Sequence, residues 1–273
     1  MFDFIVSNEP LLRALFAAGG LVLFLILGLL FRFRLNTEYT SPARIITNIS
    51  LAITNTLLIK LLMPISLAGL ALLLQAKNIG ILNQLSFGTL TNFVITVVFL
   101  DLIIYWQHRT FHYVPLLWRL HRVHHSDTGL DATTALRFHP LEILLSLAIK
   151  GLAIFLLGAS AAGVIVFEII LNFSALFHHG NYKLPNILDR IMRWIIVTPD
   201  PHRVHHSSRS KEMNSNFAFF LSVWDRIFKT FLTTTERQAE FVEIGIHEIR
   251  DTKQLSYVKL LSQPFQKILR RPV

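Results

Sequence analysis

Eight histidines fall into three short strings: His108 and His112 in HRTFH, His121, His124 and His125 in HRVHH, and His202, His205 and His206 in a second HRVHH. The six letters HRVHHS at residues 121–126 recur unchanged at 202–207, although the residues around them differ. On a helix, residues four apart share a face, and an i, i+3, i+4 triplet covers one stripe about 100° wide. Each string therefore aims its imidazoles in one direction. A lone histidine on an apolar face is ordinarily a satisfied core residue, but eight in helical register form a metal site. Neutral imidazole suits iron, copper, zinc and nickel. The chain has no cysteine, which excludes disulfides, thiolate ligands, cysteine-held iron–sulfur clusters and a cysteine nucleophile. With roughly four to six ligands per ion, eight or nine histidines imply two ions.

The elements that must carry these strings are membrane helices. Of 273 residues 52% are hydrophobic and 16% charged, and the charged fraction is well below the roughly 25% of soluble domains. Residues 14–31 are uncharged and long enough to cross a hydrocarbon core of roughly 30 Å; their acidic start and the following Arg32 and Arg34 favour a retained anchor over a cleaved signal peptide. Arg32, Arg34 and Arg44 place the first connection in the cytoplasm by the positive-inside rule. Residues 45–75, interrupted by Lys60 and Pro64, read as one long kinked span or a span plus a surface segment. A third span runs from about Leu90 to Trp106, with Asn83 to Ser86 as a loop before it. Residues 143–177 are too long for one span at roughly 1.5 Å per residue. They contain Gly151, Gly158 and Gly163 and have histidines on both flanks, which predicts a hairpin of two shorter helices. Asp200-Pro201 reads as an N-cap followed by a first-turn proline, starting a helix directly before the last triplet.

The expected fold is thus an all-α integral membrane protein with about four to five spanning or hairpin helices and a cytoplasmic helical cap carrying the histidines. The expected organisation is membrane helices over 1–90, a catalytic unit over 91–232 that includes the hairpin, and a basic tail over 233–273. The net charge is +9, and residues 182–273 hold fifteen Lys/Arg against nine Asp/Glu. That excess suits an anionic membrane surface. No basic run carries the aromatic interleaving or the motifs of a nucleic-acid reader.

HRTFH, HRVHH and HRVHH resemble the three boxes of the fatty acid hydroxylase/sterol desaturase superfamily. The likeness extends to Asp101 with Tyr105-Trp106, to RFHPLE at 137–142, FHHGN at 177–181, Thr198-Pro-Asp200 and Trp224-Asp-Arg226. It covers roughly residues 95–230; the first 90 residues share only hydrophobicity. The resemblance implies a non-haem di-iron centre, in which zinc can replace iron on purification, that uses O2 to hydroxylate or desaturate a lipid C–H bond. Electrons would come from an external donor protein, since no flavin, haem-domain or cysteine-cluster motif is present. It also adds His179 as a ninth ligand, with His178 and His139 as further candidates. Asp101 is a candidate for orienting His108, or else for anchoring Tyr105 or an arginine. Asn181 either supports a ligand or belongs to a loop. Arg137 and Glu142 are expected to pair with each other, Asp225 is expected to be structural, and His247 lies outside every motif. A bacterial inner membrane is favoured over endoplasmic reticulum. Two alternatives remain at this stage: an intramembrane zinc-dependent lipid hydrolase, although HExxH is absent, and a non-enzymatic metal or haem carrier.

Overall fold

The computed structural model describes residues 1–34, 41–85, 87–233 and 242–266. Within these residues the chain is helical, with only isolated bridges between extended segments. Helices α1 (Phe2–Ser7), α2 (Glu9–Leu30), α3 (Pro42–Leu62), α4 (Leu67–Ala76), α5 (Ile81–Gln84) and α6 (Thr89–Tyr113) precede α7 (Pro115–His125). The hairpin follows as α8 (Pro140–Leu157) and α9 (Ala161–His178). Then come the short helices α10 (Asn186–Met192), α11 (Pro199–His205), α12 (Ser210–Met213), α13 (Val223–Ile227) and α14 (Tyr257–Ser262).

Among the described residues, five segments are long and apolar enough to cross a membrane: Glu9–Leu30, Pro42–Gln84, Thr89–Tyr113, Pro140–Leu157 and Ala161–His178. The last is 56% buried and the other four 11–28%, so α9 is the central helix. It packs against α1, α2, α4 and α6. The outer helices turn Leu15, Val22, Ile26, Ile53, Leu57 and Leu152 outward, as helices do when the surrounding solvent is lipid.

Local chemistry explains where these helices begin and end. Helix α8 stops at Gly158, whose φ of +70° is the left-handed conformation that glycine adopts without strain. A Cβ there would meet the backbone of Gly80. Ser160 then caps α9 by accepting from the Gly163 amide. The two-helix reading of residues 143–177 is therefore matched, with the turn at 158–160. The segment at 45–75 is a full-length helix followed by a short one; Met63–Ser66 breaks them where Pro64 removes a donor. Helix α6 does not end at Trp106. No breaker follows until Pro115, so the helix runs on to Tyr113 and carries His108 and His112 on its last two turns. Val114, held extended before Pro115 (φ −89°, ψ 115°), makes the corner, and Pro115 starts α7. Helix α11 starts earlier than expected: Pro199 takes the first turn, Thr198 is the extended residue before it, and Asp200 lies inside the turn.

The Arg44 side chain is enclosed and pairs with Asp127 (2.6 Å) and Asp131 (2.7 Å). The described part of the C-terminal region folds back against the histidine segments, with Val242 and Ile244 on Leu130, and Leu260 on Leu51 and Val123. Part of the Asn83–Ser86 loop forms the single turn α5, and Ser86 lies outside the described residues.

Candidate metal centre

The corner at Val114–Pro115 folds α7 back on the end of α6, and the end of α9 delivers His179 against α11. The result is two groups of fully buried histidines. His108, His112, His121, His125 and His205 form one, and His124, His179, His202 and His206 form the other, with a ring nitrogen from each within 4.8 Å of the rest.

The two HRVHH strings divide between the groups in opposite ways. In α7 the i, i+4 pair His121 and His125 joins the first group and His124 joins the second. In α11 the pair His202 and His206 joins the second group and His205 the first. Identical spacing gives nearly identical local geometry: His121–His125 and His202–His206 ring centroids are 4.9 and 4.8 Å apart, both at 64°. The crossing contacts His124–His206 and His125–His205 are both 4.7 Å. The strings are thus related by an approximate local two-fold, and His125 and His206 stack across it at 4.5 Å. Box 1 completes the first group and His179 the second.

Hydrogen bonds outside the cluster aim several rings. His108 Nδ1 donates to the Phe217 carbonyl (2.7 Å), His205 Nδ1 to the Ser215 carbonyl (2.7 Å) and His179 Nδ1 to the Ala175 carbonyl (2.6 Å). His121 Nδ1 donates to Glu142 Oε1 (2.6 Å). Each bond places the ring proton on Nδ1 and leaves the Nε2 lone pair facing inward, the arrangement that orients metal-bound imidazoles. Accordingly, His108, His121 and His205 Nε2 are buried without a protein partner, as are both nitrogens of His112 and His125. In the second group, His179 Nε2 lies 3.0–3.1 Å from the Nε2 atoms of His124, His202 and His206. Four buried imidazole nitrogens converging on one point suit a bound metal ion. The donor set fits two imidazole-bound metal ions.

Burial, reinforced by neighbouring imidazoles, lowers the pKa of His124, His125, His202, His205 and His206 well below the ordinary histidine value. Burial also pushes His179 down to about 4. These rings are neutral at physiological pH, which is the ligating form. In the metal-free protein the unfolded chain takes up protons below about pH 6.5, and the folded chain does so only at lower pH. Stability from these histidines is thus complete above about pH 6.5 and is lost as pH falls from there towards the folded values, by up to ~1.4 kcal/mol per pH unit for each. Metal-free protein is expected to melt at a clearly lower temperature at about pH 5 than at about pH 7.5. A flat profile would contradict neutral burial.

The remaining candidates are placed as follows. Asp101 does not touch His108. Its Oδ2 accepts from Trp224 Nε1 (2.8 Å) and the Leu221 amide (3.1 Å). Asp225 accepts from the amides of Phe217 (2.8 Å) and Ala218 (3.0 Å). Together these acids hold residues 217–221, whose Phe217 carbonyl orients His108. Asn181 clasps Arg34, accepting from its amide and donating to its carbonyl, both at 3.1 Å. His139 lies outside both groups and caps α8, accepting from the Leu141 amide. His178 also lies outside both, its ring 3.8 Å from that of His202 and neither nitrogen partnered. The Arg137–Glu142 pair does not form. Arg137 instead donates to the Val123 carbonyl (2.9 Å), Asn48 (3.1 Å) and Ser126 (3.1 Å), freeing Glu142 for His121. The only sequence signal for that contact was the position of Glu142 in the first turn after Pro140.

A cavity of about 220 Å³ opens beside the first group. His108 and His121 line one end, and Ile104, Phe111, Phe138, Leu171 and Phe219 contribute apolar walls.

The comparisons with known proteins agree with this geometry. A family model described as fatty acid hydroxylase matches residues 93–230, half of the chain. The chain is 33% identical over 144 residues to alkylglycerol monooxygenase of Xenopus tropicalis, covering 52% of this chain and 31% of that protein. It is 29% identical over 181 residues to the ornithine lipid hydroxylase OlsE of Rhizobium tropici, covering 66% and 52%. It is 25% identical over 175 residues to the very-long-chain aldehyde decarbonylase GL1-4 of Oryza sativa subsp. indica, covering 60% and 27%. These matches span between about a quarter and a half of each relative's length. No solved structure gives a significant match. The apolar helices and the relatives together make this an integral membrane protein with a histidine-built metal site. With its boxes, their geometry and half its length matched, the chain belongs to the fatty acid hydroxylase family.

Proposed function

We propose that this protein is a membrane-bound di-iron oxygenase that hydroxylates or desaturates a lipid. The observation that carries the reading is the pair of histidine groups, five and four strong, set beside an apolar cavity that reaches His108 and His121. His108, His112, His121, His125 and His205 would hold one iron, and His124, His179, His202 and His206 the other. Bound iron would supply O2 activation for oxidising a C–H bond. The chain's own residues do the rest. Glu142 and the carbonyls of Ala175, Ser215 and Phe217 fix the ring orientations. The buried setting excludes water, and the cavity walls position the alkyl chain. Hydroxylation consumes one O2, two electrons and two protons and releases one water, so an external electron-donor protein is required. Residues 91–232 form the catalytic unit in this reading. The histidine end faces the cytoplasm of a bacterial inner membrane, supported by Arg109 and Arg119 on the helices that carry the boxes. The hydrolase alternative is not favoured: Glu142, the carboxylate at the centre, is bonded to His121, and the relatives named above are a monooxygenase, a hydroxylase and a decarbonylase.

Anaerobically purified protein is expected to hold two irons per chain and to consume O2 only when lipid and a reductant are supplied. Tightly bound zinc with ester or amide cleavage that is insensitive to oxygen removal would overturn the reading. Zinc alone would not, since zinc competes well for imidazole sites.

A further inference from the structure

The cavity beside the first histidine group is not wholly apolar. Along one face of α8, Glu142, Ser146 and Lys150 succeed one another at four-residue intervals, and all three line it. Glu142 bonds His121 at one end. Lys150 lies about 12 Å farther along the helix axis, at about 1.5 Å per residue. Gln107 Nε2 donates to Ser146 Oγ midway (3.1 Å), and Asn172 adds a further amide on the α9 side. Two acceptors on this lining, Gln107 Oε1 and Asn55 Oδ1, are buried without a partner. Lys150 Nζ meets Glu168 Oε1 at 3.2 Å, and Glu168 Oε2 is bound by Arg13 at 2.7 Å. Among the described residues, Glu168 is the one acceptor Lys150 reaches, and it is shared with a second cation.

A cation and unpartnered amides inside a membrane-spanning helix bundle are costly, and such groups generally mark a pathway or a bound polar ligand. A plain hydrocarbon would leave Gln107 Oε1 and Asn55 Oδ1 unpaired, and Lys150 with no acceptor beyond the Glu168 it shares with Arg13. We propose that the cavity is a two-ended lipid site: Lys150 donates to an oxygen of the substrate's polar group, while the carbon to be oxidised rests at His108 and His121. The proposal builds on the oxygenase reading and adds the substrate class. That class is a lipid bearing a hydroxyl or similar oxygen on the order of 12 Å or less from the carbon that reacts. A hydroxyl fits best, because its oxygen accepts from Lys150 and its hydrogen satisfies Gln107 Oε1 or Asn55 Oδ1. Glu9, Arg13 and Glu168 hold Lys150 in place from the far side.

The test is anaerobic binding of labelled hexadecan-1-ol and hexadecane to metal-loaded protein in lipid nanodiscs, which needs no turnover. Wild-type protein is expected to prefer the alcohol by roughly ten- to a hundredfold, the range of a hydrogen bond to a charged group. Lys150→Met should abolish most of that preference, and Lys150→Arg should retain part of it. If Lys150→Met does not insert, Gln107→Leu leaves the ion pairs intact and should reduce the preference by roughly fivefold. Equal binding of the two probes by wild type, or unchanged preference in the variant that inserts, overturns the proposal and leaves Lys150 a purely structural ion pair. O2 uptake on the same preparations separates the two readings. Selective alcohol binding without lipid-dependent O2 uptake would sink the oxygenase, whereas O2 uptake without selectivity would sink only the polar-group site.

Discussion

Replacing His124 or His202 with alanine is expected to release one metal ion and retain the other, and replacing His112 or His205 the converse. His124 shares a helix with His121 and His125 but belongs to the group of His179, His202 and His206. His205 shares α11 with His202 and His206 but belongs to the group completed by box 1. Loss of a direct ligand should cost more than the roughly 10- to 100-fold in affinity that accompanies loss of an outer hydrogen-bond partner. Metal counts per chain should fall from two to one in each variant, and lipid oxidation should fall to background in all four. Spectroscopy should then pair His124→Ala with His202→Ala, and His112→Ala with His205→Ala. Pairing by box, with His124→Ala resembling His125→Ala, would show that the two groups are wrongly divided. Helical content and membrane insertion should be unaffected, because the spanning helices pack through apolar clusters that contain none of these rings.

Asp127→Ala is expected to destabilise the protein by about 3–5 kcal/mol, the usual cost of removing one partner from a buried ion pair. Asp127 follows the second box directly and is 1% exposed. Its Oδ1 is bound by Arg44 Nε at 2.6 Å, and its Oδ2 by Asn48 (3.1 Å) and Thr134 (2.8 Å). Arg137, fully buried, stands close by on Asn48. Without the carboxylate, two guanidinium groups face each other with only Asp131 to compensate. Burial opposes ionisation of Asp127, but Arg44 and Arg137 outweigh it and hold the carboxyl well below its usual range. Its contribution is therefore complete above about pH 4 and is lost only as pH falls through more strongly acidic values, separable from the histidine effect near pH 6.5. Denaturation of Asp127→Ala and Asp127→Asn in detergent, beside the exposed control Lys211→Ala, checks this. The control should lie within about 0.5 kcal/mol of wild type. An Asp127→Ala variant equally close to wild type would mean that the cluster of arginines and acids does not brace the end of α7.

Much of the fold and site was legible from local pattern. Span lengths follow from apolar runs, the hairpin from its glycines, and the eight box histidines from a 3.6-residue period that any helix imposes. Those features depend on neighbours a few residues away. The same logic could not show the partners of Arg44, because Asp127 and Asp131 lie more than eighty residues on. It also paired Arg137 with Glu142 because they are close in sequence, whereas each is claimed by a group on α7. Asp101 likewise acts on a loop 120 residues away.

The sequence by itself determined that imidazoles gather on helix faces at a membrane, in numbers suited to two ions. Only the tertiary structure decided which histidine joins which group. An i, i+3, i+4 stripe is wide enough to serve two centres, and the crossing of α7 against α11 splits each triplet two to one, in opposite senses. The same packing put Lys150 and Gln107 on the wall of one cavity with His108, a meeting of α6 and α8 that no spacing along the chain encodes.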